Sequence, residues 1–101
     1  MTSNALSNQV RPTTAEEVEQ ILRHMIVEIL MLDGVSPEAL EADKPGFIMA
    51  LGASSIDTLE LIISVEERLG FEFEDHELGP DLVETLAHFR SEVCKKLGIP
   101  A

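Results

Sequence analysis

The chain has 101 residues, room for one core and not two at about 150 residues per domain. It carries 7 Lys and Arg against 19 Asp and Glu, a net charge of −12, while 45% of it is hydrophobic. The apolar share excludes a disordered acidic tail, which would lack the burial needed to offset chain entropy. The acid surplus excludes a nucleic-acid binder that works by neutralising phosphates, and it repels anionic lipid. Partners are therefore expected to present Lys and Arg. A single cysteine, Cys94, excludes an internal disulfide framework, and the N-terminus lacks the basic and apolar regions of a signal peptide. No apolar run approaches the length of a membrane span. The expected setting is reducing and cytoplasmic. With no Trp or Tyr and four Phe, the core falls to Leu, Ile, Val and Met, which suits an all-α bundle.

Residues 1–13 are mostly Ser, Thr, Asn, Gln and Pro without an apolar period, and read as a flexible leader. Thr14-Ala15-Glu16-Glu17 has the form of a capping box, and Val18, Ile21, Leu22, Met25, Ile26 and Ile29 follow on one face. This predicts a first helix ending near Leu32. Gly34 to Ala53 contains Pro37, Pro45, Gly46 and Gly52 and reads as a long loop with one turn of helix at Ser36 to Leu40. Phe47, Ile48, Met49 and Leu51 are expected to pin that loop to the bundle. A second long helix is predicted from Ser54-Ser55 to Leu69, stopped by Gly70. At 100° per residue Leu61, Ile62, Val65 and Leu69 form its core stripe, while Ile56, Glu60, Ile63 and Glu67 lie on the opposite side within an arc of about 60°. That outward mixture reads either as scattered surface apolar residues or as a docking face with an apolar centre and a charged rim. A short third helix is expected around Asp75 to Leu78 or around Leu82, with Phe71 and Phe73 pointing inward. Thr85 caps a last helix that buries Leu86, Phe89, Val93 and Leu97 and ends on Lys95 and Lys96 before Gly98. The fold class is thus a four-helix bundle of three main helices and a short third, with a long loop between the first two. Residues 14–98 form the bundle and 99–101 a tail.

His24, His76 and His88 are too scattered for a helical metal pair. Cys94 borders the last core stripe and reads as a small buried hydrophobe. The informative stretch is Leu51 to Leu61, in which Gly52-Ala53 delivers two serines to the start of a strong helix. Unpartnered N–H groups and the positive end of the helix dipole would stabilise a phosphate ester there, but taken alone the local physics favours plain N-capping, since a serine just before a helix is commonplace.

That stretch, Leu51-Gly52-Ala53-Ser54-Ser55-Ile56-Asp57-Thr58-Leu59-Glu60-Leu61, followed by Val65-Glu66-Glu67-Arg68-Leu69-Gly70 and Phe71-Glu72-Phe73, resembles the modification-site region of acyl carrier proteins. The resemblance extends over most of Glu16 to Leu97. It implies that Ser55 carries 4′-phosphopantetheine, with Ser54 the other candidate, and that a phosphopantetheinyl transferase attaches the arm. One residue departs from the family pattern: Ser54 stands where Asp usually precedes the modified serine. It can still cap the helix, but it removes one charge beside the site. The resemblance also gives Ile56, Asp57, Glu60, Ile63 and Glu67 a role in docking onto basic patches of acyl-loading, ketosynthase-type or other acyl-transfer enzymes. It implies a carrier and not a catalyst, a monomer that holds acyl groups as thioesters for fatty-acid, polyketide or related biosynthesis. An acyl chain would lie among Leu59, Ile62, Ile21, Met25, Phe47 and Leu86. Aminoacyl or peptidyl cargo, and an unmodified acidic adaptor for a basic protein, are the alternatives. Ten acids lie between Asp57 and Glu84 against the one base Arg68, so nine of the twelve net negative charges sit beside Ser55 and after it.

Overall fold

A computed structural model describes residues 11–100; most of the expected leader, residues 1–10, and residue 101 of the expected tail lie outside the described residues. Four α-helices and three short 3-10 turns make up the described elements, with no strand among them. We number the helices α1 (Ala15–Ile29), α2 (Phe47–Ala50), α3 (Ser55–Leu69) and α4 (Leu86–Leu97). α1 packs against both α3 and α4.

The local signals act as their chemistry dictates. Thr14 Oγ1 accepts from the Glu17 N–H at 3.1 Å, and Glu17 Oε1 accepts from the Thr14 N–H, closing the expected capping box. Thr13 donates to the same carboxylate from both its backbone and its hydroxyl, which holds Glu17 below the usual carboxylate range. α1 ends at Ile29, three residues short of Leu32, because the chain turns sharply there. The Met31 N–H donates to the Glu28 carbonyl and the Leu32 N–H to the Val27 carbonyl, the two bonds of a Schellman closure. α3 ends where Gly70 adopts a left-handed backbone at φ 74°, and α4 runs from its Thr85 cap to Gly98. Leu86, Phe89, Val93 and Cys94 of α4 are buried while Leu97 is half-buried.

The long loop is more ordered than its sequence implies. Pro37–Ala39 forms a 3-10 turn, and Phe47–Ala50 forms a full α-helical turn where the sequence predicts loop. Phe47 and Ile48 are buried, so the pinning residues are the ones expected, although Met49 is exposed. Arg23 is the one buried charged residue among those described. Its guanidinium donates to the Pro37 carbonyl at 3.0 Å and the Leu40 carbonyl at 2.5 Å, and it pairs with Glu19. Farther on, the Gly46 N–H donates to the Glu84 carbonyl at 2.7 Å, and the Ala87 N–H to the Ala42 carbonyl at 2.9 Å. The loop is thereby fixed to α1 at one end and to the start of α4 at the other.

The expected short third helix is two consecutive 3-10 turns, Asp75–Glu77 and Pro80–Val83. Leu78-Gly79-Pro80 prevents them from joining, since proline lacks the N–H a continuing helix needs. Phe73 is buried and lies 6.5 Å from Phe89, while Phe71 is half-buried and meets the Phe73 ring edge-on at 5.0 Å.

Candidate functional site

The approach to α3 is set by α2. Gly52 takes a left-handed backbone at φ 86°, and the N–H groups of Gly52 and Ala53 donate to the carbonyls of Met49 and Ile48. Ala53 is buried, so the two serines leave an anchored residue. They then part ways. Ser54 is the N-cap, in extended conformation, with its Oγ accepting from the Asp57 N–H at 3.1 Å. Asp57 returns the bond, its Oδ2 accepting from the Ser54 N–H at 2.9 Å, and the Thr58 hydroxyl donates to the Ser54 carbonyl at 2.9 Å. Ser55 is the first residue of the helix and is exposed. Nothing among the described residues hydrogen-bonds its hydroxyl, and the N–H groups of Ser55 and Ile56 are likewise without a partner among them.

Asp57 thus has a job that the outward-face reading missed. Its carboxylate is half-buried and committed to the cap. The signal was present, because an acid three residues after a serine is the capping-box pattern already recognised at Thr14.

A cleft of about 350 Å³ opens beside Ser55. Ser55, Thr58, Leu59 and Ile62 of α3 line one side, and Leu78, Gly79, Pro80 and Val83 line another, with Ile48 and Met49 also at the surface. Of the residues expected to shelter an acyl chain, Leu59 and Ile62 are here. Leu86 instead lies in the core, Met25 and Phe47 are buried facing other cavities and Ile21 lies on a different surface, so none of these four borders this cleft. Helical periodicity marks which residues face inward but not where the core leaves space. The Leu78–Pro80 side is held from behind. Lys96 Nζ pairs with Glu77 at 2.7 Å, which holds Glu77 below its ordinary value and Lys96 above its own. The Phe73 N–H donates to Glu66 Oε2 at 2.7 Å.

On the outward side of α3, Ile56 is 77% exposed and Ile63 44% exposed, with Glu60 and Glu67 exposed around them. Neither glutamate has an ion-pair partner among the described residues. Leu61, Ile62, Val65 and Leu69 are buried as the periodicity requires. Cys94 is fully buried, and that burial pushes its thiol up, away from the thiolate a nucleophile needs.

A free serine hydroxyl thus stands at the head of an amphipathic helix, beside an apolar cleft and an acidic face. A sequence profile described as "Phosphopantetheine attachment site" matches residues 20–90. An acyl carrier protein of Bradyrhizobium sp. (strain ORS 278) is 41% identical over 59 residues, covering 58% of this chain and 70% of the relative. One of Rhodopseudomonas palustris (strain TIE-1) gives the same figures. That of Campylobacter hominis is 39% identical over 61 residues, covering 60% of this chain and 72% of its own. The chain belongs to the acyl carrier protein family, whose members carry covalent 4′-phosphopantetheine and serve as carriers, not catalysts. It is accordingly a substrate of a phosphopantetheinyl transferase and works with acyl-transfer enzymes.

Proposed function

We propose that Ser55 is the attachment residue, and that the bundle of residues 14–98 tethers acyl intermediates and shuttles them between enzymes of fatty-acid, polyketide or related biosynthesis in the cytoplasm. The observation that carries this assignment is the division of labour between the two serines: the Ser54 hydroxyl is engaged in the cap, while the Ser55 hydroxyl is exposed, unengaged and at the cleft mouth. When attached, the arm supplies a terminal thiol on which an acyl group is held as a thioester.

The chain's own residues supply the rest. The Ser55 oxygen anchors the arm's phosphate at the positive end of the α3 dipole, near the unpartnered N–H groups of Ser55 and Ile56. Leu59, Ile62 and Val83 offer an apolar lining beside that anchor, which favours an aliphatic acyl cargo over an aminoacyl or peptidyl one. Ile56, Asp57, Glu60, Ile63 and Glu67 compose the docking face, with Asp57 also holding the helix start in place. Tethering raises the effective concentration of cargo at each partner's active site.

Co-expression with a broad-specificity phosphopantetheinyl transferase, followed by intact-mass measurement, tests the assignment. The wild-type and Ser54→Ala proteins should gain one phosphopantetheine, and Ser55→Ala none. A modified Ser55→Ala protein would move the site to Ser54, and an unmodified wild type would favour an adaptor that is never loaded.

A further inference from the structure

The Schellman closure of α1 places Met31 at the position that usually belongs to glycine, and its backbone is left-handed, φ 53°. Among the described residues it is the only non-glycine with positive φ. An unbranched apolar side chain gains nothing there, because Cβ crowds its own carbonyl. Burial does not compensate: the side chain is 81% exposed, more than any other large hydrophobic residue described. Met31 therefore carries two costs, backbone strain and exposed apolar surface, with no gain inside the isolated bundle. Strain of this kind points from an outlier toward a use.

Its surroundings indicate the use. Met31 borders a groove of about 590 Å³ between the end of α1 and the middle of α3, where Met25 and Ile29 are the other apolar residues and Glu28, Glu60 and Glu67 the acids. Arg68 is the one base on its border. Glu60 and Glu67 belong to the outward face of α3 as well, so the groove continues that face toward α1. We propose that this groove is a second docking subsite, which receives a basic, amphipathic segment of a partner enzyme: an apolar side chain of the partner against Met31 and Ile29, with Lys or Arg against Glu28, Glu60 and Glu67. Charge complementarity selects this occupant over a second copy of the chain, which carries the same net charge of −12. The inference rests on the carrier reading only in taking the partner to be an enzyme that addresses Ser55. At 1.5 Å per residue, Glu60 to Arg68 lie about 8 to 20 Å along the helix from Ser55, so one enzyme surface spans both.

The test uses the full chain, after treatment with coenzyme A and a phosphopantetheinyl transferase, and a synthetic amphipathic helical peptide with an arginine stripe beside leucines. Met31→Gly is charge-neutral and relieves the strain. It should raise the melting temperature by roughly 2–5 °C while weakening the peptide's affinity by roughly fivefold to tenfold. Glu28→Lys should weaken affinity and flatten its salt dependence. In wild type the Met31 methyl resonance should shift more on peptide addition than that of Met49, which lies at a different cleft. Unchanged affinity in both variants overturns the subsite, as does a lower melting temperature for Met31→Gly, since the side chain would then be serving the bundle itself. Concentration-dependent dimers abolished by Met31→Gly, without peptide binding, would replace the basic partner with a second copy. Failure of wild type to accept phosphopantetheine while peptide binding follows the expected pattern would sink the carrier reading and leave the groove standing.

Discussion

Two adjacent serines with the same side chain have different chemistry here because one hydroxyl is spent on the helix and the other is not. Ser54 and Asp57 exchange hydrogen bonds across the first turn of α3, so the departure from the family's usual Asp leaves the cap intact. Ser54→Ala should cost about 1 kcal/mol of stability, the ordinary value of a cap, and leave phosphopantetheine attachment complete; urea unfolding paired with intact mass reads both. Loss of modification with the fold intact would show that Ser54 takes part in recognition as well. This pair was half legible in the sequence. Ser54 as a cap follows from its position before an apolar-periodic run, whereas the engagement of Asp57 was obscured by its place beside the outward face. A helical wheel sorts residues by direction and is blind to a side chain that folds back onto its own backbone.

Between elements, the decisive contact is the carboxylate of Glu19, which accepts from Arg23 at 2.8 Å and from Arg90 at 2.5 Å. It joins α1 to α4 and orients the guanidinium that grips the loop carbonyls of Pro37 and Leu40. Burial pushes the Glu19 carboxyl up, but hydrogen bonds and charge from the two arginines outweigh it and hold the group below its ordinary value. A carboxylate lowered in the folded state binds its proton more readily when unfolded. Its stabilisation is therefore complete above the unfolded value, about 4.3, and is lost as pH falls through the folded one. Glu19→Gln should be about 2 kcal/mol less stable than wild type at pH 7, and the gap should narrow as pH falls through the folded value of Glu19. Urea titrations of both proteins across the acid range isolate this residue from the general relief of repulsion that acid brings; a gap that does not change with pH would assign the loss to packing. None of this was legible beforehand. Glu19 and Arg23 are an unremarkable i, i+4 pair, Arg90 is remote in sequence, and a charge on a helix is ordinarily solvated.

Across the whole molecule, the acid surplus bears on the proposed docking role. Glu60 and Glu67 flank Ile56 and Ile63 on the outward face of α3; in that role electrostatic steering would speed encounter while a small apolar contact would permit rapid release. Glu60→Lys combined with Glu67→Lys should leave the melting temperature within a few degrees, since exposed charges contribute little to stability. Acyl transfer by basic-faced partners should fall severalfold at low salt, and the difference should shrink at high salt as screening grows. Equal transfer rates at low salt would remove these glutamates from the docking face. The all-helical class, the serine and threonine caps of α3 and α1, the glycine stops, the core stripe of α3 and the placing of Ser54 and Ser55 at a helix start were readable from local order, because each depends on residues within a turn or two of one another. The helical turn at Phe47–Ala50, the 3-10 form of the segment after α3, the cleft beside Ser55, the clamp of Arg23 and the strained Met31 were decided by packing among distant segments. Which carbonyl an arginine meets, and where a core leaves a gap, depend on the close approach of chain segments that no local period encodes.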